Sequence, residues 1–388
     1  MQELKDLTFT MDTQIVFGNL CISKLKEALK NNNFNRALLV SDNGLKESGI
    51  LDKVTASLSD KNIVIATFID IAPNPTVANV ESAYRFAQDF QPDVIIGVGG
   101  GSPLDAAKVL AILMTNDQKV IDLEGIEKYE NPPLPLVAIP TTAGTGSEVT
   151  VFSVITDSDR EYKITIGGRS MAPKWAFVDP DLTLSLPRHI TASTGLDALV
   201  HAIESYTSTM SSPMSELFSM KAIEIISANL RQAVFNGNNL QARSAMIYGS
   251  LLAGIAFNNT RLGNVHAMSH PLSAIYHAPH GIANAVLLPT VMNFNLLACP
   301  EKYANIAQLM GEPLDNNLSL TKNAEKSLYA VQKLSADIGI PGDFSDFNVE
   351  KDSINIMAKD AMKSGNVLVN PRKTTLEDII NLYQEIIR

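Results

Sequence analysis

Val94-Ile95-Ile96-Gly97-Val98-Gly99-Gly100-Gly101-Ser102-Pro103-Leu104-Asp105-Ala106-Ala107-Lys108 is a β-branched run that breaks into three consecutive glycines and resumes as an apolar stretch with helical spacing. A run this apolar suits a strand buried on both faces, the situation inside a parallel sheet. Glycines between such a strand and a helix let a ligand approach the backbone, and the N–H groups at the helix start attract phosphate. Steric need alone can put glycine in a tight strand-to-helix turn. Three in a row, with Ser102 next, favour a pyrophosphate seat, although the spacing is not the GxGxxG of the usual dinucleotide turn.

On either side, residues 37–40, 63–68 and 136–139 are equally apolar and predict further buried strands. Residues 77–90 and 105–113 carry apolar side chains three and four apart, the period of a helix lying on a sheet. Residues 151–156 and 175–178 extend the pattern, so an open, doubly wound α/β domain is expected over residues 1–186. Past Leu186 long helical patterns take over at 195–206, 214–230 and 240–257, with Pro187-Arg188-His189 as the break. Residues 187–388 are therefore expected to form an all-α domain, with His189 a structural or surface residue and residues 310–323 as an exposed connection.

Two loops add to the glycine turn. Pro140-Thr141-Thr142-Ala143-Gly144-Thr145-Gly146-Ser147-Glu148 follows the strand at 136–139 and offers hydroxyls where ligands of parallel sheets lie. Asp42, at the end of the first sheet strand, could accept from an adenosine ribose or could be a turn residue; as a ribose partner it would repel a 2′-phosphate, favouring NAD over NADP.

The chain has 388 residues, 45% hydrophobic and 19% charged, as expected of a two-domain globular protein. No segment reaches the roughly 18 consecutive apolar residues of a membrane span, and residues 1–6 lack the apolar core of an export signal. Cys21 and Cys299 are the two cysteines and form no CxxC pair, which suits a reducing cytoplasm. A net charge of −10 without a basic run argues against nucleic acid and acidic membranes and for a small-molecule substrate. The extended segment around residues 9–17 could pair with a second copy as an edge strand, giving a homo-oligomer, a dimer or higher.

Four of the six histidines, His266, His270, His277 and His280, fall within fifteen residues. Upstream, Asp197 and His201 stand four apart, so a helix places both on one face. Alone, that pair reads as a charge-assisted contact; with the histidine cluster it reads as two ligands of one cation. Spacing allows either His266 or His270 as a further ligand, and His280 lies in a Pro-His-Gly turn that can present its ring inward. One oxygen and several imidazoles suit Zn2+, Fe2+, Ni2+ or Mn2+ and not Ca2+ or Mg2+.

Taken together, residues 99–108, 140–148, 195–204 and 263–281 with Asn370-Pro371-Arg372 resemble the iron-containing (group III) alcohol dehydrogenases, the family that includes lactaldehyde reductase and propanediol dehydrogenase. The resemblance implies a dehydroquinate synthase-like architecture: a dinucleotide-binding α/β domain followed by a helical metal-binding domain. It implies a metal held by Asp197, His201, His266 and His280, with Fe2+ foremost, and His270 near it without binding it, as the candidate for passing the proton to solvent. It implies cofactor contacts from Asp42, Asn74, Gly99, Gly100, Gly101, Ser102, Asp105, Thr141, Thr142 and Lys163. Phe257 would line the substrate pocket, as would His277, which stands where many relatives carry Asn or Asp. Leu20 stands where relatives often have a second glycine. The expected activity is hydride transfer between NAD(H) and a small primary alcohol or diol and its aldehyde. The rivals are a metal- and NAD-dependent lyase resembling dehydroquinate synthase, which would call for a Lys/Arg cluster not found near the histidines, and a non-catalytic metal or nucleotide binder.

Overall fold

The computed structural model describes residues 7–387; residues 1–6, on which the expectation of no export signal rests, lie outside them. The chain divides into two compact units, one from Asp12 to Leu186, the other from Pro187 onward together with the described residues up to Met11. The first unit thus begins at Asp12 and not at residue 1. The preceding segment is held to the helices by a two-way hydrogen bond between the Thr10 backbone and the Asn259 carboxamide (2.8 and 3.1 Å) and by Phe9 stacked on Phe218.

In the α/β unit the strands are β1 (Gln14–Phe17), β2 (Arg36–Val40), β3 (Val64–Phe68), β4 (Val94–Gly99), β5 (Gly125–Ile126), β6 (Leu136–Pro140), β7 (Phe152–Asp157), β8 (Tyr162–Gly167) and β9 (Trp175–Val178). Six form a parallel sheet in the order β1-β9-β6-β4-β2-β3. Alternate residues of the central strands enter two separate cores. Leu38, Val40 and Ile95 pack with the Val77–Phe90 and Gly101–Leu113 helices, while Ala37, Leu39, Ile96, Val98 and Ile139 pack with Leu25, Leu29, Leu51 and Val54. Both faces being covered, the central strands read as unbroken apolar runs.

Residues 151–156 do not extend this sheet. β7 pairs antiparallel with β8, in a separate sheet of order β5-β8-β7. Burial along β7 alternates, as expected of a strand with one covered face. Leu20 adopts a left-handed backbone (φ 55°) and donates its N–H to Asp179 Oδ1 at 3.0 Å; a residue without a Cβ takes that conformation at no steric cost.

Among its described residues the second unit is built of helices and connecting turns, with no strand. The Arg188–Thr207 helix is buried on nearly every side from Gly195 to Thr207, enclosed by the Pro213–Phe235, Leu240–Thr260 and His280–Asn295 helices. Gly195 permits the approach: a Cβ there would lie 2.3 Å from Leu230 Cδ1. His189 is exposed, which selects the surface reading over the structural one. Residues His280–Ala298 are long and apolar enough to cross a membrane by length and composition, but 56% of that window is buried within the protein. Its packing on the Arg188–Thr207 and Asn264–Ile275 helices accounts for the apolar composition.

Candidate metal centre and glycine turn

At the end of β4, Gly99 has φ 151°, and a Cβ on it would lie 2.6 Å from Pro103 Cγ. Cβ atoms on Gly100 and Gly101 would meet Thr142 at 3.2 Å and Thr145 at 2.9 Å, so the glycines also let the second loop close onto the first. Thr141 N–H donates to Gly99 O at 3.0 Å, tying the two loops together. The Gly101–Leu113 helix starts at Gly100 with no side-chain cap, which leaves its first N–H groups for an anion.

Around this turn the structure gathers Asn74, Ser102 and Lys163. Asn74, in a left-handed conformation, donates its N–H to Ser102 Oγ (3.2 Å) and accepts from Lys163 Nζ (2.6 Å). Burial lowers the Lys163 ammonium to about 8, against the opposing pull of Asp105. Asp105 accepts from Ser147 Oγ (2.6 Å) and Val154 N–H (2.8 Å), and burial raises its carboxyl above the usual range despite Lys108. Asp42 sits at the end of β2 and caps the short Asn43–Glu47 helix, accepting from Leu45 N–H at 2.9 Å.

In the helical unit Asp197, His201 and His266 are buried, and one ligand-type atom from each lies within 4.8 Å of the others. Asp197 and His201 come from successive turns of the buried Arg188–Thr207 helix, and His266 from the first turns of the Asn264–Ile275 helix. The His201 ring stacks on His266 (centroids 4.6 Å apart) and on Phe257 (4.5 Å), while His280 meets His266 edge-on at 5.3 Å. His270 lies 5.6 Å from His280 on the outer side of this row of rings. Its helix runs through Pro271 without ending there. His277 is exposed at a turn with φ 55° and makes no ring contact with the row.

The electrostatics favour positive charge at this point. Burial alone would raise the Asp197 carboxyl, but His201, His266 and His280 hold it well below the usual carboxylate range. Burial alone would lower His266; hydrogen bonds with Asp197 and Glu204 outweigh it and raise the ring to about 9. A buried carboxylate ringed by imidazoles fits a divalent cation of the iron–zinc group. Asn284 Oδ1 is buried with no hydrogen-bond partner.

Several residues that the sequence did not single out support the site. Glu204 accepts from Val265 N–H (2.7 Å) and binds His266 Nδ1 (2.6 Å), which leaves Nε2 directed at the cluster. Asn284 Nδ2 donates to Asp197 Oδ1 (2.6 Å) and lies 3.0 and 3.1 Å from the Nε2 atoms of His266 and His280. The one signal the sequence offers for them is spacing: Glu204 follows His201 by three residues, and Asn284 follows His280 by four. The Asn370-Pro371-Arg372 segment acts at one remove. Asn370 exchanges two buried hydrogen bonds with Asn295 (2.8 and 3.0 Å) and accepts from Asn264 N–H (3.3 Å), pinning the start of the helix that carries His266.

Residues 12–180 match the family described as iron-containing alcohol dehydrogenase, and residues 191–387 match the C-terminal part of the Fe-containing alcohol dehydrogenase family. Over 371 residues the chain is 44% identical to 1,3-propanediol dehydrogenase of Klebsiella pneumoniae, covering 95% of this chain and 96% of that protein. It is 36% identical to the NAD-dependent methanol dehydrogenase of Bacillus methanolicus over 95% of this chain and 97% of that one. A crystal structure of 1,3-propanediol oxidoreductase superposes with a TM-score of 0.95 at 42% identity, covering 99% of this chain and all of that one (100%). With both units matched and these relatives spanning nearly its whole length, the chain belongs to the iron-containing alcohol dehydrogenase family and is an oxidoreductase of small alcohols and aldehydes.

Proposed function

We propose that this protein transfers hydride between NAD(H) and a small primary alcohol or diol, using one divalent ion held by Asp197, His201, His266 and His280. The observation that carries the reading is the buried convergence of Asp197, His201 and His266, with ligand-type atoms within 4.8 Å. Fe2+ is the proposed ion, and Zn2+, Ni2+ and Mn2+ suit the same donors. When bound, such an ion acts as a Lewis acid that eases loss of a hydroxyl proton and polarises a carbonyl. Phe257, stacked on His201, would wall the substrate space, and His277 would border its exposed side.

In the α/β unit, as the nucleotide-binding half, Gly99, Gly100, Gly101 and Ser102 would take the pyrophosphate at the uncapped helix start, with Thr141 and Thr142 closing from the second loop. Lys163 and Asn74 would hold the cofactor beside that seat, with Asp105 securing the loop around it. Asp42, at the end of β2, would favour the unphosphorylated ribose of NAD over NADP. His270, the outermost ring of the row, would pass the proton to solvent. The reading places the enzyme in the cytoplasm, where two free thiols suit a reducing medium. It also makes the protein a homo-oligomer, with β1 as the outermost strand of its sheet.

Metal analysis of the purified protein, with an alcohol and aldehyde panel run in NAD and NADP, tests this reading. His266→Ala and His280→Ala are expected to lose the metal and turnover together. His270→Ala is expected to keep the metal and lose rate by about 10² or more. Full metal content in both of the first two variants would contradict the ligand assignment.

A further inference from the structure

The small sheet ends at β7, which pairs with β8 on one side and, among the described residues, with no strand on the other. An edge strand leaves N–H and C=O groups open along its outer side. Here other parts of the chain take them. Asp105 Oδ2 accepts the Val154 N–H at 2.8 Å, Lys108 Nζ donates to Phe152 O at 2.7 Å, and Pro75 O accepts the Thr156 N–H at 2.8 Å. Ser153 Oγ donates to the Asp105 carbonyl at 3.0 Å. Asp105 and Lys108 lie on consecutive turns of the Gly101–Leu113 helix, so the helix that starts at the glycine turn fills the place of the missing strand.

What the hairpin carries gives this docking a consequence. Thr156, two residues past Val154, is the register partner of Lys163, and Lys163 Nζ donates to Asn74 Oδ1 at 2.6 Å. Asn74 in turn donates its N–H to Ser102 Oγ on the first turn of the same helix. The contacts close a ring from Ser102 through Asn74, Lys163 and β7 to Asp105, and back along the helix. Both Asp105 oxygens are engaged within the protein, Oδ1 by the Ser147 hydroxyl at 2.6 Å and Oδ2 by β7.

We propose that Asp105 is a positioning residue for cofactor binding: it stands in for a strand along the edge of β7 and thereby fixes Lys163 and Asn74 at the glycine turn, without itself touching the nucleotide. The inference rests on the reading of Lys163 as a cofactor contact.

The metal-loaded protein is titrated with NADH by fluorescence, and Kd is measured for Asp105→Ala, Lys163→Met and the double variant, with Tm recorded for each. Asp105→Ala and Lys163→Met are each expected to weaken NADH binding about tenfold, and Asp105→Ala to add less than about twofold once Lys163 is gone, the non-additivity of residues that act through one contact. Asp105→Asn keeps a carbonyl oxygen for the Val154 N–H and is expected to bind NADH within about threefold of the unsubstituted protein. Should Asp105→Ala not fold, Asp105→Ser, too short to span to β7, carries the same cycle. Equal weakening by Asp105→Ala in both backgrounds overturns the proposal and makes Asp105 a cofactor contact in its own right. A lowered Tm with unchanged Kd overturns it too, leaving Asp105 a residue of the fold alone. If Lys163→Met binds NADH as tightly as the unsubstituted protein, the reading of Lys163 is what fails, and the proposal with it.

Discussion

Glu204 shows how one side chain fixes the role of another. Its Oε2 lies 2.6 Å from His266 Nδ1, and its Oε1 takes the Val265 N–H, so the ring is fixed in rotation with Nε2 facing Asp197 and His201. Gly263 makes room for it, since a Cβ there would stand 2.8 Å from Glu204 Oε1. A carboxylate on the far nitrogen also raises the basicity of the near one. Glu204→Gln keeps the shape and loses the charge, and metal affinity is expected to fall about 10- to 100-fold in chelator competition. Undiminished affinity would mean that packing alone orients His266. At this scale the sequence was only partly readable. The four-residue interval between Asp197 and His201 and the crowding of the histidines pointed to ligands, because both are features of spacing. Glu204 and Asn284 stand three and four residues after His201 and His280, but a carboxylate or amide on a helix is ordinarily a solvated residue, and only burial distinguishes these two. His277 shows the converse: sequence placed it among the clustered histidines, while a left-handed turn leaves it exposed.

Between the Gly101–Leu113 helix and β7, the element that organises the loop is Lys108. Its buried ammonium donates to Ser147 Oγ (2.8 Å), Thr150 Oγ1 (3.0 Å) and Phe152 O (2.7 Å), with Asp105 at 3.9 Å. Burial lowers this lysine to about 8 and raises the nearby Glu148 to about 7. Lys108→Met is expected to destabilise the protein by about 3 kcal/mol in urea unfolding, because it leaves buried acceptors and carboxylates without their cation. The pH dependence has a definite sign. A lysine lowered to about 8 in the folded state binds fewer protons there than in the unfolded chain up to about pH 10.4. The contribution of Lys108 to stability therefore grows as pH rises through that window, and the gap between the two proteins should widen. A constant gap would remove the ammonium's burial as the cause. The same region separates strands that sequence reveals from strands that it hides. Strands covered on both faces are continuous in sequence, so β2, β4 and β6 were plain. β8 includes the buried Lys163, and β7 mixes Val154 and Ile155 with Ser153, Thr156 and Asp157, so neither reads as a run buried on both faces and nothing in the residues themselves separates their antiparallel sheet from the parallel one.

For the molecule as a whole, the change from β-branched runs to long helical patterns at Leu186 was visible because it alters the period of burial over many residues. The docking of Phe9 and Thr10 onto the helices was not, since it depends on Phe218 and Asn259, more than two hundred residues away. The two units each bury their own apolar core, and the proposed ligands divide cleanly between them: Asp197, His201, His266 and His280 lie in the helical unit, and the glycine turn lies in the other. A ligand that binds only the folded form stabilises by about 2.7 kcal/mol at a hundredfold excess over its Kd. Divalent metal is thus expected to raise the calorimetric transition of the helical unit, and chelator to lower it, with the α/β transition little moved. NADH should act on the α/β transition in the opposite pattern. If chelator and NADH instead shift a single transition together, the two units unfold as one cooperative block, and each ligand's stabilisation is shared across the whole chain.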